Sequence, residues 1–249
     1  MKERLSHIEC VFRIHLARLR REAGPFLLAA IVFPIGMYFF ASGIAGENAL
    51  DQEKVRFLAA SIVFSINLTS ISWFGYLLLE NRFTGRLKLF ATLPIAPSSY
   101  IFGVLIFVLV QGIIGTLALL IGSRLLDVPT GLTPASLALL AVTILTAILA
   151  LGGLSVIIST VARSFSEGSL MTDTLGAGMV LLAPVYYPPE ALPVGLRQFA
   201  MLLPTTYFAR AIAKLLTGNL YVGIELALLV GFAVLTLALG FRIMNWRQA

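Results

Sequence analysis

The chain has 249 residues, 59% of them hydrophobic and only 12% charged, and its mean hydropathy is +0.95. A soluble domain is nearer half apolar and a quarter charged, so this composition excludes one and makes lipid the solvent. The single cysteine, Cys10, excludes an internal disulfide, and His7 and His15 precede the first apolar run, which excludes histidine chemistry inside the apolar body.

In chain order, residues 2–22 predict an amphipathic helix lying in the membrane interface. Leu5, Ile8, Phe12, Leu16 and Leu19 recur at helical spacing, with Arg13, Arg20 and Arg21 elsewhere on the wheel. Gly24-Pro25 breaks it before the first long apolar run. Six runs then approach or exceed the ~20 residues a helix needs to cross the hydrocarbon. They are residues 26–45, 57–79, 100–122, 135–161, 170–187 and 220–241. In hydrocarbon such segments must close their hydrogen bonds internally, so they are helices. The first four carry no acidic or basic residue; the fifth carries Asp173 and the sixth Glu225. The expected fold is an all-α membrane protein: one transmembrane domain over residues 1–249, with six spans.

Residues 188–219 are apolar but divide into two pieces too short to span. Pro204 followed by Thr205 and Thr206 starts a helix that either threonine can cap, and Gly218 ends it. Tyr207, Phe208, Ala211, Ile212, Leu215 and Leu216 form its apolar face, and Leu192, Leu196, Phe199 and Leu203 mark a shorter helix before it. Two short helices that dip into the outer leaflet and return are expected, rather than two lying flat on the surface.

The net charge of +6 is a topology signal. With the N-terminus inside, twelve of the eighteen Lys and Arg residues fall in inner segments, so both termini are expected in the cytoplasm and the chain in the cell's inner membrane. No basic stripe with interleaved aromatics exists, and nucleic acid is not expected as a partner. The long inner connection, residues 80–99, joins Arg82, Arg86 and Lys88 to Phe83, Leu87, Leu89 and Phe90; such a short amphipathic segment fits a groove on a partner or an anionic lipid surface. Inside the spans, Asn67, Gln111, Asp173 and Glu225 are candidates for a buried polar path. Helix dipoles also favour Asp173 and Glu225 near their helix N-termini, which makes structural placement the first reading of both.

Two motifs resemble a known family, the membrane subunits of type-2 ABC exporters that include daunorubicin-resistance, O-antigen and teichoic-acid permeases. One is E-N-R-F-T-G-R-L-K-L-F-A-T-L-P-I-A-P over residues 80–97, similar to the family's acidic-x-x-x-x-Gly-x-Leu pattern after the second span. The other is Y-Y-P-P-E-A-L-P over residues 186–193 with L-P-T-T-Y-F-A-R-A-I over residues 203–212. Arg86 and Lys88 stand where the family often has a small polar residue and a glutamate, which makes this loop more basic.

The resemblance implies a permease that exports an amphipathic drug, a lipid or a lipid-linked glycan, paired with a second copy or a related permease. It implies an ATPase-coupling loop containing Glu80, Arg82, Phe83, Gly85, Arg86, Leu87, Lys88 and Phe90, and an outer re-entrant region marked by Tyr186, Tyr187, Pro188, Pro204, Tyr207 and Arg210. The chain has no G-x-x-x-x-G-K-[ST] phosphate loop, so ATP and magnesium are expected on a separate ATPase subunit and no cofactor or metal on this one. A secondary transporter or channel independent of ATP is the alternative. An intramembrane enzyme is disfavoured, because the chain offers no Ser/His pair and no clustered aspartates within its spans.

Overall fold

Backbone polar groups with no water to bond must pair within their own helix. The computed structural model is correspondingly helical, at 85% helix, with no strand among the described residues. These are residues 2–21, 23–45, 50–93, 95–187 and 191–244. In order come α1 (Lys2–Arg21), α2 (Ala23–Leu27), a π-helical turn π1 (Leu28–Val32), α3 (Phe33–Ala45), α4 (Asp51–Asn67), a second π turn π2 (Leu68–Trp73), α5 (Phe74–Phe83) and α6 (Arg86–Thr92). Then follow α7 (Pro97–Leu125), α8 (Pro134–Val161), α9 (Phe165–Leu182), α10 (Val194–Ala200), α11 (Pro204–Leu216) and α12 (Gly223–Ile243).

Among the described residues, four helices are long and apolar enough to cross a membrane: Asp51–Phe83, Pro97–Leu125, Pro134–Val161 and Gly223–Ile243. The bent pair α10 and α11 raises this to five if counted as one span. Two of the six expected spans differ from their prediction. The first is split into α2, π1 and α3, and its apolar stretch Ala30–Gly43 is shorter than a full span. Pro34 explains the break: it has no N–H to offer the Ala30 carbonyl in the α-helical pattern, and the turn widens, with the Phe33 N–H bonding Leu28 instead. The fifth is displaced: its helix starts at Phe165 rather than Leu170, and ends at Leu182 because the residue before Pro184 is pushed to extended backbone.

Small residues let the long helices touch. Gly153 of α8 packs on Thr236 of α12, whose hydroxyl donates to the Ala150 carbonyl at 3.0 Å. A methyl on Gly103 of α7 would lie 2.7 Å from Cβ of Val11, so α1 is docked on α7 and not only on lipid. The docked face is Val11 and His15, both buried, with His15 beside the Phe107 ring at 5.9 Å. Leu5 and Leu16, expected on the apolar face, are exposed, and a histidine placed outside the apolar body by sequence is packed into its edge.

The bend between α10 and α11 is 82°. Leu203 starts α11 with Pro204 in its first turn, and the threonines do not cap their own helix as expected. The Thr205 hydroxyl donates to the Met179 carbonyl of α9 at 2.8 Å, and that of Thr206 to the Ala200 carbonyl of α10 at 2.5 Å. Both therefore tie the bend to its neighbours. Phe208, Ala211, Ile212, Leu215 and Leu216 are buried against α4, α8 and α12, so α11 is built into the bundle rather than laid on its surface. Gly218 has φ +81°, the left-handed stop expected of it.

Candidate functional site

The loop over residues 80–97 is held by its own sequence. Gly85 has φ +76°, a conformation glycine adopts without strain, and it starts α6. The short helix then turns Leu87 into the core and sets Phe90 against the Tyr100 ring, with centroids 5.1 Å apart. Lys88, Leu89 and Phe83 are left exposed, and Leu89 is 68% exposed. Glu80 accepts from Arg86 at 3.0 Å, so the two charges bracket the glycine turn.

Arg82 departs from its expected role. Its Nη1 donates to the Thr160 carbonyl at 3.0 Å, the Ala162 carbonyl at 2.9 Å and the Ser159 carbonyl. These carbonyls lie at the C-terminal end of α8, where backbone acceptors have no partner in their own helix and the dipole is negative. Arg82 is therefore a cap that fastens the loop to α8, while Lys88 and Leu89 form the outward face. Asn81, missed by sequence reasoning, adds a second fastening: its amide donates to the Tyr100 hydroxyl at 2.6 Å, with Asn81 itself buried. An Asn at the end of an apolar run was the available signal.

The four residues expected on one buried polar path fall into three settings. Asn67 and Gln111 are buried. The Asn67 amide donates to the Gly176 carbonyl of α9 at 2.8 Å, whereas neither polar atom of the Gln111 amide has a partner. Gly115 lies one turn beyond Gln111, and a methyl there would fall 2.6 Å from the Ala30 carbonyl of π1 and 2.9 Å from the Ser65 hydroxyl. The Ser70 and Ile71 carbonyls of π2 accept from the Ser155 hydroxyl of α8 at 2.7 and 3.2 Å. Both π turns thus face small or hydroxyl side chains of the helices packed on them.

Glu225 is buried in the first turn of α12 and accepts from Lys214 of α11 at 2.7 Å. It is a structural clamp across the α11–α12 turn, which the Lys214 amine reinforces by donating to the Tyr221 carbonyl at 3.1 Å. Asp173 is not buried; it is exposed on α9 and accepts from the Tyr76 hydroxyl at 2.8 Å. Because α9 begins at Phe165, its first-turn acid is Glu167, and the dipole account offered for Asp173 belongs to Glu167.

In the expected re-entrant region, Tyr186 packs on the core, Tyr187 donates to the Leu181 carbonyl, and Tyr207 donates to the Met201 carbonyl at 2.7 Å. Pro204 is buried and Arg210 half-buried. Pro188, with Pro189 and Glu190 of the same motif, lies outside the described residues.

Apolar helices long enough to span, joined by a fastened amphipathic loop, define a multi-pass membrane protein. The family model described as ABC-2 type transporter matches residues 8–217, and the chain belongs to that family. It is thus a type-2 ABC permease, a transmembrane component of a class that works with an ATPase subunit. No curated protein compared with the chain matches it.

Proposed function

We propose that this chain is the permease subunit of an ATP-driven exporter, moving an amphipathic drug, a lipid or a lipid-linked glycan out of the cytoplasm. Its topology is six spans, with α2–α3 and α9 supplying the first and fifth, both termini in the cytoplasm, and α10–α11 re-entrant from the outer side of the inner membrane. A second copy, or a related permease, completes the pathway. A separate ATPase subunit binds ATP and magnesium and drives the cycle.

The observation that carries this reading is the geometry of residues 80–92. Its outward face of Phe83, Lys88 and Leu89 is apolar and basic, and suits the groove of a partner. Its inward side is fastened to α8 by Arg82 and to the start of α7 by Asn81. Force on the loop would therefore reach two spans directly. In a Cys10→Ser background, Leu89→Cys should cross-link to the ATPase subunit, whereas Leu87→Cys, in the core, should not. Equal cross-linking from both positions, or none from Leu89→Cys, counts against the reading.

A further inference from the structure

Gln111 lies at the midpoint of α7, whose 29 residues run from Pro97 to Leu125. It is fully buried, and among the described residues neither its amide nitrogen nor its amide oxygen has a hydrogen-bond partner. Buried polar groups are nearly always bonded, because one left dry loses its bonds to water and gains nothing in return. Halfway along a helix long enough to span the membrane, no bulk water supplies the missing bonds.

The partners that this amide lacks are close by. Ala30 of π1 packs on Phe107, one turn before Gln111. Its carbonyl lies at Gly115, one turn after Gln111, where a methyl would fall 2.6 Å from the oxygen. The first expected span therefore crosses α7 at Gln111. The Ser65 hydroxyl of α4 is 2.9 Å from the same point; it too is buried and without a partner among the described residues. The three groups are complementary: the amide nitrogen can donate to the Ala30 carbonyl, and the amide oxygen can accept from the Ser65 hydroxyl.

Direction keeps them apart. A long helical side chain leans toward its own N-terminus, so Gln111 leans toward Phe107, while both partners sit at Gly115. Residues one turn apart are separated by about 5–6 Å at Cβ, so a shift of under one turn, with a change of Gln111 rotamer, closes the gap. Glycine at 115 leaves no side chain in the way. The means of shifting is built in: Ala30 belongs to π1, and π2 separates Ser65 from Asn81, which is bonded to Tyr100 near the start of α7. Resetting a π turn to α changes the register of its helix against α7.

We propose that Gln111 is a latch between two conformations of the permease, open in this one and closed in a second. In the closed state Ser65 donates to the amide oxygen and the amide nitrogen donates to the Ala30 carbonyl, tying the first span and α4 to α7. The proposal deepens the exporter reading and rests on it for the ATP-driven passage between the two states.

The test uses the full chain with its ATPase subunit in nanodiscs, and reads ATP turnover and the thermal midpoint of the nucleotide-free complex. Gln111→Leu keeps most of the bulk and removes the amide; Ser65→Ala removes the hydroxyl. Neither breaks a side-chain hydrogen bond of this conformation, so neither should lower the midpoint. Each should slow turnover by about tenfold, the factor set by ~1.4 kcal/mol. The double variant should be little slower than Gln111→Leu alone, because the Ser65 bond is already lost with the amide.

Wild-type turnover in Gln111→Leu, losses that multiply in the double variant, or a midpoint lowered by either single change would overturn the latch and leave the exporter reading standing. A wild-type complex that hydrolyses no ATP would sink the exporter reading, and the two-state cycle with it.

Discussion

Replacing Arg82 by alanine removes the cap on α8, and the consequence can be estimated. One guanidinium nitrogen, with two N–H groups, faces the carbonyls of Ser159, Thr160 and Ala162, so it supplies at most two full bonds. Hydrogen bonds from a charged donor contribute about 1.5–3 kcal/mol each, and a cation at a helix C-terminus about 0.3–1 kcal/mol more. Arg82 is only half-buried, and water can reach the carbonyls once it has gone, so we expect a net loss of about 2–3 kcal/mol. At about 2–4 °C per kcal/mol for a chain of this size, the midpoint of thermal unfolding in nanodiscs should fall by about 4–12 °C. Arg82→Lys should recover part of it. Lys88→Ala, on the outward face, should leave the midpoint unchanged and weaken association with the ATPase. If Arg82→Ala unfolds at the wild-type temperature while losing the ATPase, Arg82 is a docking residue and the capping argument is wrong.

Gly103→Leu should overpack the contact with Val11 and Ile8, cost about 1–3 kcal/mol, and expose α1 to limited proteolysis; an unchanged cleavage pattern would place α1 elsewhere. Glu225→Gln leaves the Lys214 amine without its counter-charge, and should lower stability by about 1–2 kcal/mol, since Lys214 is 39% exposed and partly solvated. The double variant Lys214→Met with Glu225→Leu should recover most of that loss, and a double variant worse than either single one would contradict the clamp. Tyr100→Phe removes the acceptor of the buried Asn81 amide and should cost about 1–2 kcal/mol, read as an earlier thermal midpoint.

Much of this architecture is legible in the sequence because hydropathy and helix-breaking residues act locally. The α10–α11 pair follows from two short apolar pieces around Pro204, and its stop from Gly218. What a helix wheel cannot show is which way a charge turns once a neighbouring helix arrives. Arg82, Arg86 and Lys88 read alike as basic loop residues, yet Arg82 turns back to α8, Arg86 pairs with Glu80, and Lys88 is exposed. Likewise, the dipole reading of Asp173 depended on where α9 begins, and a start five residues earlier moves the carboxylate to mid-helix. The split of the first span was foreshadowed by Pro34, but hydropathy is blind to a π turn, because every residue involved is apolar.

The proposed dependence of this chain on a separate ATPase is open to direct measurement. The measurement is purification of the tagged full chain from its native membrane, with assay of magnesium-dependent ATP hydrolysis and mass spectrometry of whatever accompanies it. A subunit bearing a G-x-x-x-x-G-K-[ST] loop should co-purify in equal number with the permease and hydrolyse ATP, and Lys88→Glu with Leu89→Asp should release it without unfolding the chain. A purified permease that carries no such subunit, yet transports substrate in proteoliposomes on an ion gradient alone, would contradict the central claim.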